Sequence, residues 1–158
     1  MSLVKKQETD IEVKASANKM FDIWKDKPYQ IPDAVPDKLQ SCELQEGEWG
    51  KVGSVLSWTH IKDGKARVAI ERVEAIDEEN KSITLRKIGG EFMEHFKSFN
   101  VTMQFIPKGE GSVVKWISDY EKLHDGIPDP NPQIAAESIV HIIKNVDALL
   151  LKPKTQHA

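Results

Sequence analysis

Five histidines give this 158-residue sequence its most versatile groups for chemistry near neutral pH. Zinc sites pair such ligands at close spacings, for example His-x-x-x-His or Cys-x-x-Cys. Neither spacing occurs, and Cys42 is the only cysteine, so we predict no metal site and no cofactor. The Gly-x-Ser-x-Gly motif of a serine nucleophile is also absent, and we predict no catalytic residue from the sequence. The histidines are His60, His95, His124, His141 and His157.

His60 is the histidine with the clearest position in a pattern. Leu56, Trp58 and His60 alternate along one predicted strand, and side chains two positions apart point to the same face of a strand. If that face lines a cavity, a neutral imidazole offers a ligand one hydrogen-bond donor and one acceptor. The alternative is a histidine at the rim of the fold that bonds to water.

Two cations continue alternating apolar patterns in the same way. They are Arg72, after Val68 and Ile70, and Lys87, after Ile83 and Leu85. Both are candidates to point inward, where a charge is costly unless it is paired or reached by water. In a wet cavity these cations would meet a carboxylate or a hydroxyl group of a ligand. The alternative is that the twist of the sheet carries them to solvent or to a nearby glutamate.

Charge and hydropathy narrow the range of partners. The chain has 22 Lys and Arg against 25 Asp and Glu, a formal net charge of −3, and this balance argues against a nucleic-acid partner. No run of about 20 apolar residues predicts a membrane span, and no apolar run near the charged N-terminus predicts a secretory signal. The lone cysteine fits a reducing compartment, and together these features predict a cytoplasmic location.

Seven segments predicted as strands must position these side chains, and in several of them apolar residues recur at every second position. They lie at residues 8–13, 39–44, 54–61, 67–76, 82–88, 99–106 and 113–122. The strongest turn signal is the pair Asp63-Gly64, which is typical of a two-residue hairpin. Successive hairpins predict an antiparallel sheet. The glycine-containing run 47–53 lacks the Lys-Ser/Thr pair of a phosphate loop and is predicted to be a tight turn.

Helical patterns flank the strands. One begins after Ser16, a candidate N-cap, and must end at Pro28, and a short second helix fits between prolines at 31–36. The longest helical pattern, 134–150, follows a proline-rich loop. The order predicts a single α+β domain over residues 1–158, with a flexible tail from about residue 153.

Several local motifs carry a family resemblance. One is the run Trp-Gly-x-Val-Gly-Ser that begins at Trp49. The segments that carry the likeness are 44–55, 63–65, 73–82, 89–93, 97–99 and 120–122. In this order, and over essentially the whole chain, they resemble the Bet v 1-like, or pathogenesis-related class 10, family of plant proteins. Within that family the sequence is most similar to the major latex protein branch.

The resemblance implies both a fold and a function. The fold is the helix-grip, START-like arrangement: a curved seven-stranded antiparallel sheet wraps around a long C-terminal helix, with two short helices and an internal hydrophobic cavity. The implied function is carriage or storage of a small hydrophobic or amphipathic metabolite or hormone, of the steroid, flavonoid or fatty acid type, in defence or stress. The alternative is an isomerase or condensing enzyme acting on a plant secondary metabolite.

A third hypothesis is a protein-interaction module gated by ligand, with loops 61–65, 89–96 and 124–132 as the gates.

Under all three hypotheses the inward-facing residues would line the cavity. Small residues such as Ser118 and Ala135 favour a void, because they leave the interior harder to fill. The predicted lining residues are Phe21, Trp24, Leu56, Trp58, His60, Val68, Ile70, Arg72, Ile83, Leu85, Lys87, Val101, Met103, Trp116, Ser118, Tyr120, Ala135, Ile139, Ile142, Ile143 and Val146.

Overall fold

The computed structural model of the chain describes residues 4–128 and 132–152. The tail from residue 153, which the sequence predicts to be flexible, lies outside these ranges. Two short 3-10 helices, Pro28–Asp33 and Glu91–Glu94, accompany the main elements. These are β1 (Val4–Val13), α1 (Ala17–Asp26), β2 (Leu39–Glu46), β3 (Val55–Lys62), β4 (Lys65–Asp77), β5 (Ser82–Gly90), β6 (Phe96–Lys108), β7 (Gly111–Lys122) and α2 (Pro132–Leu151).

The seven strands form one antiparallel sheet in the order β1-β7-β6-β5-β4-β3-β2. Each strand from β2 to β7 pairs with its neighbour in sequence, and β1 pairs with β7 at one edge of the sheet. Register shifts interrupt the pairing of β2 with β3, β4 with β5 and β6 with β7. Such bulges bend strands and increase their twist, which suits a sheet that curves over a helix. The predicted α+β class and the antiparallel seven-stranded sheet are confirmed.

The hairpin between β3 and β4 fixes which residues of the two strands lie opposite each other. Asp63 and Gly64 both have positive φ, 53° and 75°, as a type I′ turn requires. Lys62 pairs with Lys65 directly across this turn. From there each step back along β3 is matched by one step forward along β4.

The first helix begins and ends where the sequence predicts. The hydroxyl of Ser16 accepts the N–H of Lys19 at 3.2 Å and so caps α1. Pro28 has no N–H to continue the helix, and the chain passes into a 3-10 turn. The face of α1 that packs inward consists of Ala17, Met20, Phe21, Ile23 and Trp24.

The core is filled at one end of the sheet only. Under the C-terminal half of α2, Ile143 and Val146 are fully buried and join a cluster with Met103 and Phe105 of β6. The N-terminal half of the helix is different, because residues 133–141 include no buried side chain. Space therefore remains between that half of the helix and the sheet.

Candidate functional site

An apolar cavity of about 260 Å³ occupies the space between the sheet and α2. Its walls include three indoles, Trp24 of α1, Trp58 of β3 and Trp116 of β7. Trp24 contacts the other two, with ring centroids 6.3 Å from Trp58 and 5.9 Å from Trp116. We call this space the inner compartment. Its mainly apolar wall with a few polar groups is the usual composition of a small-molecule site.

Two outer compartments adjoin the inner one, with volumes of about 590 and 520 Å³. The first is lined partly by exposed residues such as Lys62 and Asp63, so it forms a mouth. The second is lined by Phe99 and Tyr120, which stack with centroids 5.4 Å apart. Ser138 of α2 lines all three compartments. A ligand too large for the inner compartment can therefore extend past Ser138 into the outer ones.

A buried polar cluster interrupts the apolar wall of the inner compartment. Glu71 of β4 is 2% exposed, and both of its carboxylate oxygens are hydrogen-bonded. The Nζ of Lys87 donates to Oε2 at 2.7 Å, and the indole Nε1 of Trp58 donates to Oε1. Burial of a carboxylate costs free energy unless the carboxylate is paired in this way, so loss of any one member of the cluster should destabilise the fold.

His60 lies at the edge of the same cluster. It lines the inner compartment, as its alternation with Trp58 predicts, and is half-buried. Burial, together with the positive charge of Lys87, lowers the pKa of His60 below its ordinary value of 6.5. The imidazole is therefore neutral at pH 7 and has one donor and one acceptor nitrogen. Its contact with a ligand remains a prediction.

The orientation predicted for part of β4 is wrong. Val68 is 44% exposed, and Ile70 and Arg72 share its outward-facing side of the strand. The guanidinium of Arg72 pairs instead with Glu74, at 2.7 Å, on the outside of the sheet. The physical reason is that β4 carries apolar residues on both faces, so its alternation does not identify the inner one.

Glu71 is the polar residue that the sequence analysis missed, and the Asp63-Gly64 hairpin contains the signal for it. A two-residue turn sets Trp58 opposite Ala69 and Leu56 opposite Glu71. Residues directly opposite in an antiparallel pair point to the same face. Since Leu56 and Trp58 point inward, Ala69 and Glu71 must do so as well.

The remaining predicted residues fall into three groups. Phe21, Met103, Ile143 and Val146 belong to the solid core and line none of the compartments described above. Leu56 and Ile83 border a separate pocket of about 10 Å³, room for roughly one water molecule. The residues that line the compartments are Trp24, Trp58, His60, Leu85, Lys87, Val101, Trp116, Ser118, Tyr120, Ala135, Ile139 and Ile142.

Further lining residues lie outside the predicted lining set, and one of them, Phe96, belongs to the segment 89–96 that was predicted as a gate loop. Lys38 and Leu39 enter from the start of β2, and Phe96 enters because β6 begins at residue 96 and not at 99. The indole N–H of Trp24 is a buried donor with no hydrogen-bond partner among the described residues. It is a further group that a ligand can satisfy.

All three loops predicted as gates contribute to the compartments. The first supplies residues 61–63, the second Glu91, His95 and Phe96, and the third Ile127 and Pro128. Residues 129–131 of the third loop lie outside the described part of the chain.

Within the described ranges, no cluster of three or more His, Cys, Asp or Glu side chains is arranged to hold a metal. No described helix has the length and apolar character to cross a membrane.

A curved antiparallel sheet that encloses a cavity against one long helix defines the helix-grip class of ligand-cavity proteins. Residues 2–153 match the model of the Pathogenesis-related protein Bet v 1 family. The chain belongs to that family and, within it, to the major latex protein branch.

Known relatives agree with this assignment. The chain is 45% identical to MLP-like protein 31 of Arabidopsis thaliana over 152 residues, which are 95% of the chain and 88% of that protein. It superposes on ginseng major latex-like protein 151 of Panax ginseng with a TM-score of 0.87 at 34% identity, over 95% of this chain and 99% of the other. Norcoclaurine synthase of Thalictrum flavum, solved with dopamine and hydroxybenzaldehyde, gives a TM-score of 0.79 at 20% identity, over 98% and 91% of the two chains. That last likeness shows the fold alone.

Proposed function

We propose that this protein binds a small hydrophobic or amphipathic ligand in the space between its sheet and α2, as a carrier or store. The observation that carries the proposal is the inner compartment of about 260 Å³, with three indoles and one buried ion pair in its wall. The steroid, flavonoid and fatty acid classes of metabolite or hormone suit such a space. A cytoplasmic location and a role in defence or stress also belong to the proposal, and their support is the family resemblance.

Affinity in such a site comes mainly from apolar contact. Each Å² of apolar ligand surface removed from water stabilises the complex by about 25 cal/mol. Ordering of the ligand and of the mouth opposes this gain. The polar groups of the wall, Glu71, Lys87 and His60, then set which ligands fit and in which orientation.

Ser138 allows a direct test, because it lines all three compartments while its side chain is exposed. A Ser138→Trp substitution fills ligand space without disturbing the core. We expect it to weaken binding of the neutral fluorescent probe N-phenyl-1-naphthylamine by at least about tenfold. The matched control is Glu137→Trp, at an exposed neighbouring position that lines none of the three compartments. It should stay within about twofold of the unmodified protein.

Two results would overturn the proposal. One is the absence of saturable probe binding by the unmodified protein. The other is equal affinity of Ser138→Trp and Glu137→Trp, since the probe would then bind elsewhere. Thermal unfolding of both variants, measured alongside, shows whether either substitution acts through stability.

An enzyme of the same fold is the second candidate, and the groups in the cavity wall favour it. Glu71, Lys87 and the neutral His60 are acid–base groups close to any bound ligand. Native mass spectrometry after incubation in plant extract separates the two functions. A retained adduct that leaves on denaturation supports a carrier. Loss of one metabolite with a new product and no adduct supports an enzyme.

A further inference from the structure

We infer that the Glu71–Lys87 pair recognises a hydroxyl group on a neutral, otherwise apolar ligand, and that it selects such ligands over carboxylates. The inference rests on the proposed function and specifies the ligand class. It follows from the bonding capacity of the pair, from the charge balance of the inner compartment and from the shape of its wall.

The carboxylate of Glu71 has capacity for a further donor. A carboxylate offers about four lone-pair directions. The indole of Trp58 uses one at Oε1, and the ammonium of Lys87 uses one at Oε2. Glu71 also lines the inner compartment, so a ligand hydroxyl there can donate to it. Such a bond is charge-assisted and about twice as strong as a neutral one.

A hydroxyl group matches the pair better than other oxygen groups do. It donates one hydrogen bond and accepts others, so one oxygen atom can donate to Glu71 while it accepts from Lys87. The two partners already lie side by side, with Nζ 2.7 Å from Oε2. An ether or a ketone can only accept and leaves the carboxylate without the additional bond.

The mutual neutralisation of Glu71 and Lys87 disfavours a ligand carboxylate directly beside the pair. Among the described residues, the charged side chains lining the inner compartment are Glu71, Lys87 and Lys38, and the one positive charge in excess is that of Lys38, which is exposed to solvent at the rim. Glu71 and Lys87 neutralise each other, and His60 is a further titratable group in the described part of this wall. A ligand carboxylate beside the pair would have to lose its hydration next to the negative charge of Glu71.

The shape of the wall favours a flat, rigid apolar body. Trp24 lies at an interplanar angle of 78° to Trp116 and 37° to Trp58, so the indoles form non-parallel faces. The bond to Glu71 holds the ring of Trp58 in place. A bicyclic aromatic ring can stack on one such face and meet another edge-on.

Three naphthalene derivatives test the inference, because they share one ring system and differ only in the polar group. They are 2-naphthol, 2-methoxynaphthalene and 2-naphthoate, titrated at pH 7 by calorimetry or by quenching of tryptophan fluorescence. We expect 2-naphthol to bind at least about tenfold more tightly than the ether and than the carboxylate. Equal affinities for all three would overturn the inference and leave the proposed function standing. If none of them binds, and N-phenyl-1-naphthylamine does not bind either, the proposed function fails as well.

A Glu71→Gln substitution then tests the residue itself. It removes the negative charge of Glu71 and leaves the positive charge of Lys87. The preference for 2-naphthol over the ether should therefore fall below about threefold, and 2-naphthoate should gain affinity. Glu74→Gln is the matched control, since Glu74 forms the equivalent ion pair with Arg72 on the outer face of the same strand. It should keep the original order of affinities. A Glu71→Gln protein that retains the preference for 2-naphthol would contradict the inference.

The double variant Glu71→Gln/Lys87→Met provides the same test if the single variant fails to fold. It removes both members of the buried pair and leaves no uncompensated charge. We expect it to bind all three naphthalenes with similar affinity. Persistence of the 2-naphthol preference in this protein would overturn the inference.

Discussion

The carboxylate of Asp147, near the end of α2, accepts the backbone N–H of Ala15 at 2.8 Å and that of Lys14 at 3.0 Å. Both N–H groups belong to the link between β1 and α1. One turn earlier, the Nζ of Lys144 donates to the carbonyl of Glu12 at 2.6 Å. These bonds tie the C-terminal half of α2 to the start of the fold, whereas residues 133–141 have no buried side chain. The helix is thus anchored at one end and covers the cavity with the other.

Removal of this anchor should destabilise the whole domain. In Asp147→Ala the buried N–H of Ala15 and the partly buried N–H of Lys14 lose their acceptor, and we expect the free energy of unfolding to fall by about 2–3 kcal/mol. Urea denaturation followed by circular dichroism measures the loss. Glu137→Ala, an exposed position on the same helix, should change it by less than about 0.5 kcal/mol. Equal effects of the two substitutions would show that Asp147 is not an anchor.

The two ion pairs of β4 should differ sharply in their contribution to stability. Glu71→Ala removes the carboxylate that accepts from the largely buried ammonium of Lys87 and from the buried indole N–H of Trp58, which should cost about 3–5 kcal/mol. Glu74→Ala breaks a partly exposed pair with Arg72 and should cost less than about 1 kcal/mol. The midpoints of urea unfolding of the two variants give the comparison. A Glu71→Ala protein as stable as Glu74→Ala would mean that water reaches the inner pair.

His60 should make the fold less stable in mild acid. Burial first, and then the charges of Lys87, Lys62 and Arg67, hold its pKa below 6.5, with Glu91 acting in the opposite direction. Well above pH 6.5 the imidazole is neutral in both the folded and the unfolded state and adds no pH dependence. As the pH falls below 6.5, the unfolded chain takes up the proton first, so the free energy of unfolding decreases.

The pH dependence is measured as the melting temperature between about pH 7.5 and about pH 5. His60→Gln should flatten the decline across this range, and His95→Gln, at an exposed position, is the control. NMR titration of the His60 ring provides a direct check. A midpoint at or above 6.5 would contradict the assigned direction.

Cys42 should be chemically inert in the folded protein. Its thiol is buried, and burial, reinforced by the negative charges of Glu71 and Glu43, raises its pKa. The reactive thiolate is therefore scarce at neutral pH. We expect reaction with a disulfide reagent to be slow in buffer and rapid in concentrated urea. Fast labelling of the folded chain would show that β2 opens readily.

Most of the secondary structure was predictable because it depends on local rules. Ser16 caps α1 and Pro28 ends it, as predicted from residue type alone. The Asp63-Gly64 turn forms the predicted hairpin, since few other residue pairs tolerate two positive φ angles. Strand boundaries extend by up to four residues beyond the prediction, at β1, because pairing with a neighbour continues where the sequence pattern has already faded.

The site was predictable only where a strand has one apolar face. On β3 and β5 the alternation is one-sided, and Trp58, His60, Leu85 and Lys87 line the cavity. On β4 both faces are apolar, so alternation favoured the wrong one and concealed Glu71.

The sequence by itself determined the elements, their order and the antiparallel pairing, because caps, prolines and two-residue turns act within a few residues of one another. The tertiary structure decided which end of the interior is core and which is cavity. Ile143 and Ile139 belong to the same stripe of α2, yet Ile143 is sealed in the core and Ile139 lines an outer compartment. That difference depends on the distance between the helix and the sheet. Anchors such as Asp147 and Ala15, 132 positions apart in sequence, help to set that distance.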